Sequence, residues 1–138
     1  MPGTVSVFVN CAVLSRLTAY GSVEIMGSEG YLIYQFLAGR TNQRDKEYGV
    51  TLNTCIRIAT DIILESRNAV SKDFILMFRL SMINLIPDSL SWDMITELEM
   101  ALEDTRFKII TTGVVWYKRR VPTISTLFPP DCFHLSDP

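Results

Sequence analysis

Apolar positions along this chain alternate between short continuous runs and stripes at helical spacing. Three runs, Val23–Met26, Phe74–Leu80 and Lys108–Val115, are predicted to be strands. The second run is almost continuously apolar, which is typical of a strand buried on both faces in a parallel sheet. An earlier apolar run, Val5–Leu14, is predicted to be a strand or a helix that packs beside the first of these strands.

Helix-spaced stripes separate the three predicted strands. Gly27–Arg40 has the spacing of one or two helical turns packed under a loop, and the polar segment Thr41–Val50 is long enough to suggest a functional loop. Thr51–Val70 is predicted to be a helix, and a further helix is predicted after a turn that offers Ser91 as its N-cap. The apolar positions of these two helices are Ile56, Ala59, Ile62 and Ile63 in the first, and Met94, Ile95, Leu98, Ala101 and Leu102 in the second.

The resulting order, β-α-β-α-β, indicates parallel strands joined by right-handed crossovers. This order is shared by doubly wound sheets and by parts of a barrel. No glycine-rich phosphate-binding fingerprint follows any of the predicted strands, which argues against a nucleotide-binding Rossmann unit.

Composition limits the classes of function. The 138 residues suffice for one domain, and 48% hydrophobic with 20% charged residues is globular composition. A formal net charge of −2 argues against a nucleic-acid partner. The apolar run at Val5–Leu14 is too short to span a membrane, and no basic residue precedes it as in a signal peptide, so we expect a cytoplasmic protein with no membrane partner. Cys11, Cys55 and Cys132 are scattered, and His134 has no neighbouring ligands, so no metal site is predicted.

Candidate chemistry lies at the carboxyl ends of the predicted strands, where parallel β/α folds place their sites. These ends carry Glu29 and Tyr31, then Arg79 and Ser81, then Thr112, Trp116 and Tyr117. A guanidinium in an apolar strand needs an anion, so Arg79 either contacts a ligand or pairs with a carboxylate inside the fold. Tyr31 either takes part in a site or buries its ring and exposes its hydroxyl.

Four segments, in order, resemble one known family. They are Val23–Tyr31 (VEIMGSEGY), Thr41–Gly49 (TNQRDKEYG), Arg79-Leu80-Ser81, and Thr112–Tyr117 (TGVVWY) followed by Arg120–Ile124 (RVPTI). Together they resemble the old yellow enzyme family of FMN-dependent reductases, and most closely the bacterial-type 2,4-dienoyl-CoA reductases. The resemblance runs from about Tyr20 to Thr126.

The resemblance implies an α/β fold, a partial (β/α)8 TIM barrel with about three to four parallel strands. It divides the chain into a divergent N-terminal segment at 1–19, a partial flavin-oxidoreductase barrel domain at 20–126 and an irregular tail at 127–138. The family implies FMN as cofactor and NAD(P)H as reductant. Because the chain lacks the cysteine cluster of the dienoyl-CoA reductases, no iron–sulfur centre is expected.

The resemblance also implies roles for particular residues. Tyr31 matches the tyrosine that gives a proton to the substrate, and Arg79 matches the arginine that contacts the flavin ring. Tyr117 stands where the dienoyl-CoA branch has a histidine, so it is expected to act as a substituted second acid. Met26 and Glu29 replace the pair that holds a ketone oxygen in classical members, which favours an enoyl or dienoyl thioester as substrate.

Two alternatives remain open from the sequence. The chain is either an ene-reductase segment or a non-catalytic truncated paralogue or interaction fragment, an alternative supported by Tyr117 and by Cys55 in place of a family arginine. Open parallel edges suggest self-association or pairing with the missing barrel half. A small Rossmann-like module that binds CoA or another phosphate through Lys118–Arg120 is a third option.

Overall fold

Three parallel strands with helices between them form the described part of the fold. The computed structural model describes residues 2–45, 47–49, 51–83, 89–105 and 109–114. The elements in chain order are α1 (Pro2–Leu17), β1 (Ser22–Gly27), α2 (Leu32–Leu37), α3 (Leu52–Ala69), β2 (Ile75–Ile83), α4 (Trp92–Glu103) and β3 (Ile109–Val114). The strands lie in the order β1-β2-β3, and both neighbouring pairs are parallel. The predicted β-α-β-α-β order is confirmed.

The register of the strands places one row of residues across the sheet. Met26 of β1 pairs with Arg79 of β2, and Arg79 pairs with Thr111 of β3. Glu24 lies two residues before Met26, and therefore on the same face of β1. Side chains from all three strands can thus meet on one face of the sheet.

The helices cover the other face. Leu76, Phe78 and Leu80 of β2 are fully buried, and Phe78 and Leu80 belong to a core that includes residues of α2, α3 and α4. We call the opposite side, which carries Glu24, Met77, Arg79 and Thr111, the open face. Residues there are partly exposed, and Ile75 at the start of β2 keeps 40% of its accessible surface.

Two details of the β2 prediction are wrong. The strand was predicted to be buried on both faces, yet within the described ranges helices cover one face of the sheet. The strand was also predicted to end at Leu80, whereas it continues to Ile83. Arg79 and Ser81 therefore lie inside the strand, because a polar side chain does not interrupt the backbone ladder when it reaches the open face, as in Arg79, or finds a hydrogen-bond partner, as in the buried Ser81.

The ends of the predicted helices follow from their capping residues. The Thr51 side chain accepts a hydrogen bond from the Thr54 backbone N–H, and the Thr54 side chain accepts one from the Thr51 backbone N–H. The Ser91 side chain accepts from the Met94 N–H at 3.3 Å. Both stripes predicted from the sequence face the core, since Ile56, Ala59, Ile62, Ile63, Ile95, Leu98 and Leu102 are buried.

The apolar run near the amino end forms a helix, which decides between the two structures predicted for it. Val5 and Ala12 of α1 are buried, and Ala12 packs in a small cluster with Val70, Phe74 and Leu76. Among the described residues, no helix combines the length and apolar character needed to cross a membrane.

Candidate active site

An arginine in the middle of β2 lies on the open face beside a carboxylate of β1. The Arg79 Nε and Nη2 atoms each lie 3.0 Å from Glu24 Oε2. Both side chains are partly accessible, at 34% for Arg79 and 24% for Glu24. Arg79 therefore pairs with a carboxylate inside the fold, which was one of its two predicted alternatives. The guanidinium also remains partly accessible on the open face.

The second oxygen of Glu24 is held from β3. The Thr111 hydroxyl donates to Glu24 Oε1, and it also lies 3.5 Å from the Phe78 carbonyl oxygen. The hydrogen bond from Thr111 lowers the pKa of Glu24, and Arg79 lowers it further, while burial acts in the opposite direction. Glu24 is thus an anion with one partner on the neighbouring strand β2 and one on β3, beyond it.

Sequence reasoning missed Glu24 and Thr111. Glu24 lies between Val23 and Ile25, so the apolar run hides that its side chain points away from the helices. A carboxylate in the middle of a predicted strand was a usable signal, because a charged group there needs a partner on the same face. Thr111 carried no signal of its own, since its partner lies 87 positions away.

The turn after β1 places Tyr31 at the rim of the sheet. Glu29 and Gly30 have φ angles of 58° and 82°, and this left-handed backbone turns the chain sharply into α2. The Glu29 N–H donates to Ser81 Oγ at 2.8 Å, which ties the turn to β2. Tyr31 is the N-cap residue of α2 and is 48% exposed.

The same turn approaches both Arg79 and β3. Glu29 Oε1 lies 4.0 Å from Arg79 Nη1, an ion pair too long for a hydrogen bond. A Cβ on Gly113 would lie 3.3 Å from Glu29 Oε1 and from Ser28 Oγ, so the glycine leaves room for the turn. The turn after β1 therefore lies close to Arg79 and Ser81 of β2 and to Gly113 of β3.

Some predicted site residues fall outside the described ranges. Trp116 and Tyr117 do, as do Lys118–Arg120, Cys132 and His134. The placement of Tyr117 near Tyr31 and Arg79 stays a prediction. In the part of the chain that the structure describes, no group of three metal-binding side chains comes together.

The polar loop between α2 and α3 is tied down by Asn42. Its Nδ2 donates to the Phe36 carbonyl at 2.7 Å and to the Tyr48 carbonyl, and it lies 3.4 Å from Cys55 Sγ. Burial raises the pKa of the Cys55 thiol. A cavity of about 350 Å³ lies beside this loop, on the helix side of the sheet. Its lining residues are Leu37, Gly39, Asn42, Gln43, Arg44, Thr51, Leu52, Cys55 and Met94.

Comparison with protein families gives one match over most of the chain. The sequence pattern of the NADH:flavin oxidoreductase / NADH oxidase family matches residues 2–117. The match includes α1, so it begins nearer the amino end than the motifs that start at Tyr20. A metal reductase of Desulforamulus reducens is 28% identical over 129 residues, which are 94% of this chain and 19% of that protein. The chain thus spans about a fifth of the length of the first curated relatives it matches.

Solved structures share the arrangement of strands and helices. A 2-naphthoyl-CoA reductase in complex with 2-naphthoyl-CoA superposes with a TM-score of 0.80 at 26% identity, over 84% of this chain and 18% of that one. An old yellow enzyme homologue from Zymomonas mobilis superposes with a TM-score of 0.73 at 22% identity, over 82% of this chain and 32% of that one. The described residues have the fold of a partial (β/α)8 barrel.

Proposed function

Because the chain belongs to the NADH:flavin oxidoreductase / NADH oxidase family, we propose that it forms part of an FMN-dependent ene-reductase. The proposed reaction reduces a conjugated C=C bond of an enoyl or dienoyl thioester, as in the 2,4-dienoyl-CoA reductases. The observation that carries the proposal is the Arg79 guanidinium, held on the open face in the row of Met26 and Thr111. Tyr31 follows on the turn after β1, whose Glu29 lies 4.0 Å from Arg79.

The residues of the open face fit a flavin ring. A guanidinium is planar, permanently charged and able to donate hydrogen bonds in its plane, which suits the oxygen- and nitrogen-rich edge of a flavin. Arg79 presents such a group at a strand position where 34% of its side chain is still accessible. Bound FMN would supply the redox chemistry, taking hydride from NAD(P)H and delivering it to the C=C bond.

The chain's own residues would orient the ring and supply a proton. Arg79 would hold the ring edge and stabilise negative charge there. Tyr31 is our proposed proton donor, because its phenol can donate and because the turn of Glu29 and Gly30 fixes it at the carboxyl end of β1. Tyr117 is the proposed second acid.

A thioester substrate is supported by the row that contains Arg79. Met26, which pairs with Arg79, is 37% exposed on the open face, and a thioether cannot donate a hydrogen bond to a ketone oxygen. The structural likeness to a reductase bound to 2-naphthoyl-CoA is in keeping with a CoA thioester. We propose no iron–sulfur centre on this chain and a cytoplasmic location, the latter in keeping with the free thiols of Cys11 and Cys55.

A titration of the purified chain with flavins tests the proposal. We expect saturable quenching of flavin fluorescence by the wild-type chain. FMN and riboflavin should bind equally well to within about threefold, because the proposed contact is to the ring. Arg79→Met should abolish the quenching, whereas Arg57→Met, which removes an arginine paired with Asp61 on α3, should leave it unchanged. No flavin binding by the wild-type chain, or equal binding by Arg79→Met, would contradict the proposal.

A non-catalytic interaction segment is the second candidate. The observation that favours it is the exposed apolar surface on the open face, where Met26, Ile75 and Ile109 are 37%, 40% and 41% accessible. Such a segment would pair with other barrel strands and hold no flavin. A concentration-dependent dimer, measured by analytical ultracentrifugation and unaffected by Arg79→Met or by added riboflavin, would support this candidate over the first.

A further inference from the structure

A polar bridge joins the three described strands, and two of its members, Glu24 and Thr111, have no part in the proposed chemistry. Glu24 Oε2 accepts from the Nε–Nη2 edge of Arg79, and Glu24 Oε1 accepts from Thr111. We propose that Glu24 is a positioning residue: together with Thr111 it fixes the guanidinium of Arg79 on the open face, ready to meet a ring. This inference rests on the proposed flavin contact of Arg79, but its geometric part can be tested without flavin.

The two edges of the Arg79 guanidinium have different surroundings. The Nε–Nη2 edge is engaged by Glu24, at 3.0 Å for each nitrogen. Nη1 lies on the other side of the group, 4.0 Å from Glu29 Oε1, which is beyond hydrogen-bonding distance. The hydrogen bonds to Glu24 therefore set the plane of the guanidinium. Nη1 then lies on the side of the turn after β1, which carries Glu29.

Thr111 restrains the Glu24 carboxylate through its other oxygen. A glutamate in a strand has three side-chain torsions and would otherwise sample several positions. The hydroxyl of Thr111 holds one carboxylate oxygen, and because Thr111 pairs with Arg79 in the register of β2 and β3, it approaches from the far side of Arg79. The Glu24 side chain thus extends from β1 over β2, where it contacts Arg79, and reaches Thr111 on β3.

Stability alone does not account for this arrangement. Partly exposed ion pairs contribute little to the free energy of folding, and both members of this pair remain accessible. An arginine side chain, in contrast, loses much conformational entropy when it is fixed. If it becomes fixed only when the ligand binds, this entropy loss weakens the binding. Fixing Arg79 in advance removes this cost from the binding step.

The test follows the Nε–H resonance of Arg79 in ¹⁵N-labelled full-length chain. In the wild type we expect a sharp, slowly exchanging Arg79 Nε–H signal. Glu24→Ala should return it to the position and fast exchange of a solvated arginine, and Thr111→Val should give a partial change in the same direction. Glu24→Gln keeps an acceptor oxygen at the same length, so it should restore much of the protection. Asp61→Asn removes the carboxylate facing Arg57 on α3 and is the matched control, in which the Arg79 signal should not move.

Flavin affinity is the second readout. We expect riboflavin to bind Glu24→Ala roughly tenfold more weakly than wild type, since about one immobilised side chain's entropy is added to the binding step, and Glu24→Gln to recover most of the affinity. An unchanged Arg79 signal in folded Glu24→Ala, or in Glu24→Gln and Thr111→Val if Glu24→Ala does not fold, would overturn the inference. Loss of the signal with unchanged flavin affinity would also overturn it. If wild type binds no flavin while the Arg79 signal responds as expected, the proposed function fails and the geometric assignment of Glu24 stands.

Discussion

Arg79 Nε lies 3.0 Å from Glu24 Oε2 on a neighbouring strand, and this contact orients the one guanidinium that the proposed flavin site depends on. The pair is possible because β1 and β2 are parallel with Met26 opposite Arg79, which places Glu24 beside the arginine on the open face. Its carboxylate is in turn held by Thr111 of the third strand. The described sheet thus has one side that packs against the helices and an open side that carries the contacts among Glu24, Arg79 and Thr111.

Acid should weaken the fold by a small amount through Glu24, because the pair it forms with Arg79 is partly exposed. Its pKa is lowered in the folded protein by Thr111 and Arg79, so the stability it contributes is present above the pKa of an unfolded glutamate and is lost as pH falls through the lower folded value. Arg79 is the charged group that contacts Glu24, and Glu29 lies 4.0 Å from the far side of that guanidinium. We expect the urea midpoint of unfolding to decrease as the pH is lowered from neutral to values below the ordinary pKa range of glutamate.

Glu24→Gln should reduce that acid dependence without abolishing it, because other carboxylates also titrate. The matched variant Asp61→Asn should leave the Glu24 contribution in place. Equal acid sensitivity in wild type and Glu24→Gln would show that Glu24 is not specifically stabilised as an anion.

Gly27→Ala should strongly destabilise the chain. A Cβ at this position would lie 2.0 Å from Cζ of the buried Phe78 ring, so either the ring or the strand must move. We expect a loss of about 1–3 kcal/mol in the free energy of unfolding, the range typical of overpacked cores. Gly21→Ala is the control, since no atom lies within 4 Å of its added Cβ. Similar urea midpoints for the two variants would argue against the described packing of β1 on β2.

Thr51→Ala should destabilise α3 at its amino end. The Thr51 side chain accepts from the Thr54 N–H as half of a capping box, and loss of such a cap costs about 1 kcal/mol. Thr60→Ala is a suitable control, because Thr60 lies in the helix interior and its hydroxyl bonds the Arg57 carbonyl instead. Thermal unfolding followed by circular dichroism should separate the two variants, and a larger effect for Thr60→Ala would contradict this assignment.

The helices α3 and α4 could be predicted from sequence with little error, whereas the run in α1 was left open as strand or helix and the sheet could not be predicted completely. Apolar spacing at Ile56, Ala59 and Ile63 reports which side of α3 meets the core, because each helix needs one stripe. The end of β2 was misplaced since Arg79 was interpreted as closing the apolar run. In a parallel sheet with one open face, a polar residue can alternate with buried Phe78 and Leu80 without ending the strand.

The candidate site was predictable in part for a similar reason. Arg79 and Tyr31 could be proposed from the sequence because a charged residue in an apolar run and a tyrosine after a glycine turn are visible locally. Glu24 and Thr111 acquire their role only through the register of three strands, which brings together residues 87 positions apart. No local pattern encodes that contact.

Tyr31→Phe should separate hydride transfer from proton delivery. In an assembly of this chain that reduces an enoyl thioester, we expect oxidation of NAD(P)H by bound flavin to be unchanged. Turnover of the thioester should fall by about 10²- to 10⁴-fold, the usual contribution of a positioned general acid. Rapid-mixing measurements of the two half-reactions would show this, and equal losses in both would indicate that Tyr31 instead serves flavin binding.

Contact between a flavin ring and Arg79 is the central claim, and NMR mapping of riboflavin on the ¹⁵N-labelled chain tests it most directly. We expect the Arg79 Nε–H and the amides around Met26 and Thr111 to shift on addition of riboflavin, with the Arg57 side chain on α3 unaffected. Shifts confined to the helix side of the sheet, or none at all at Arg79, would contradict the claim.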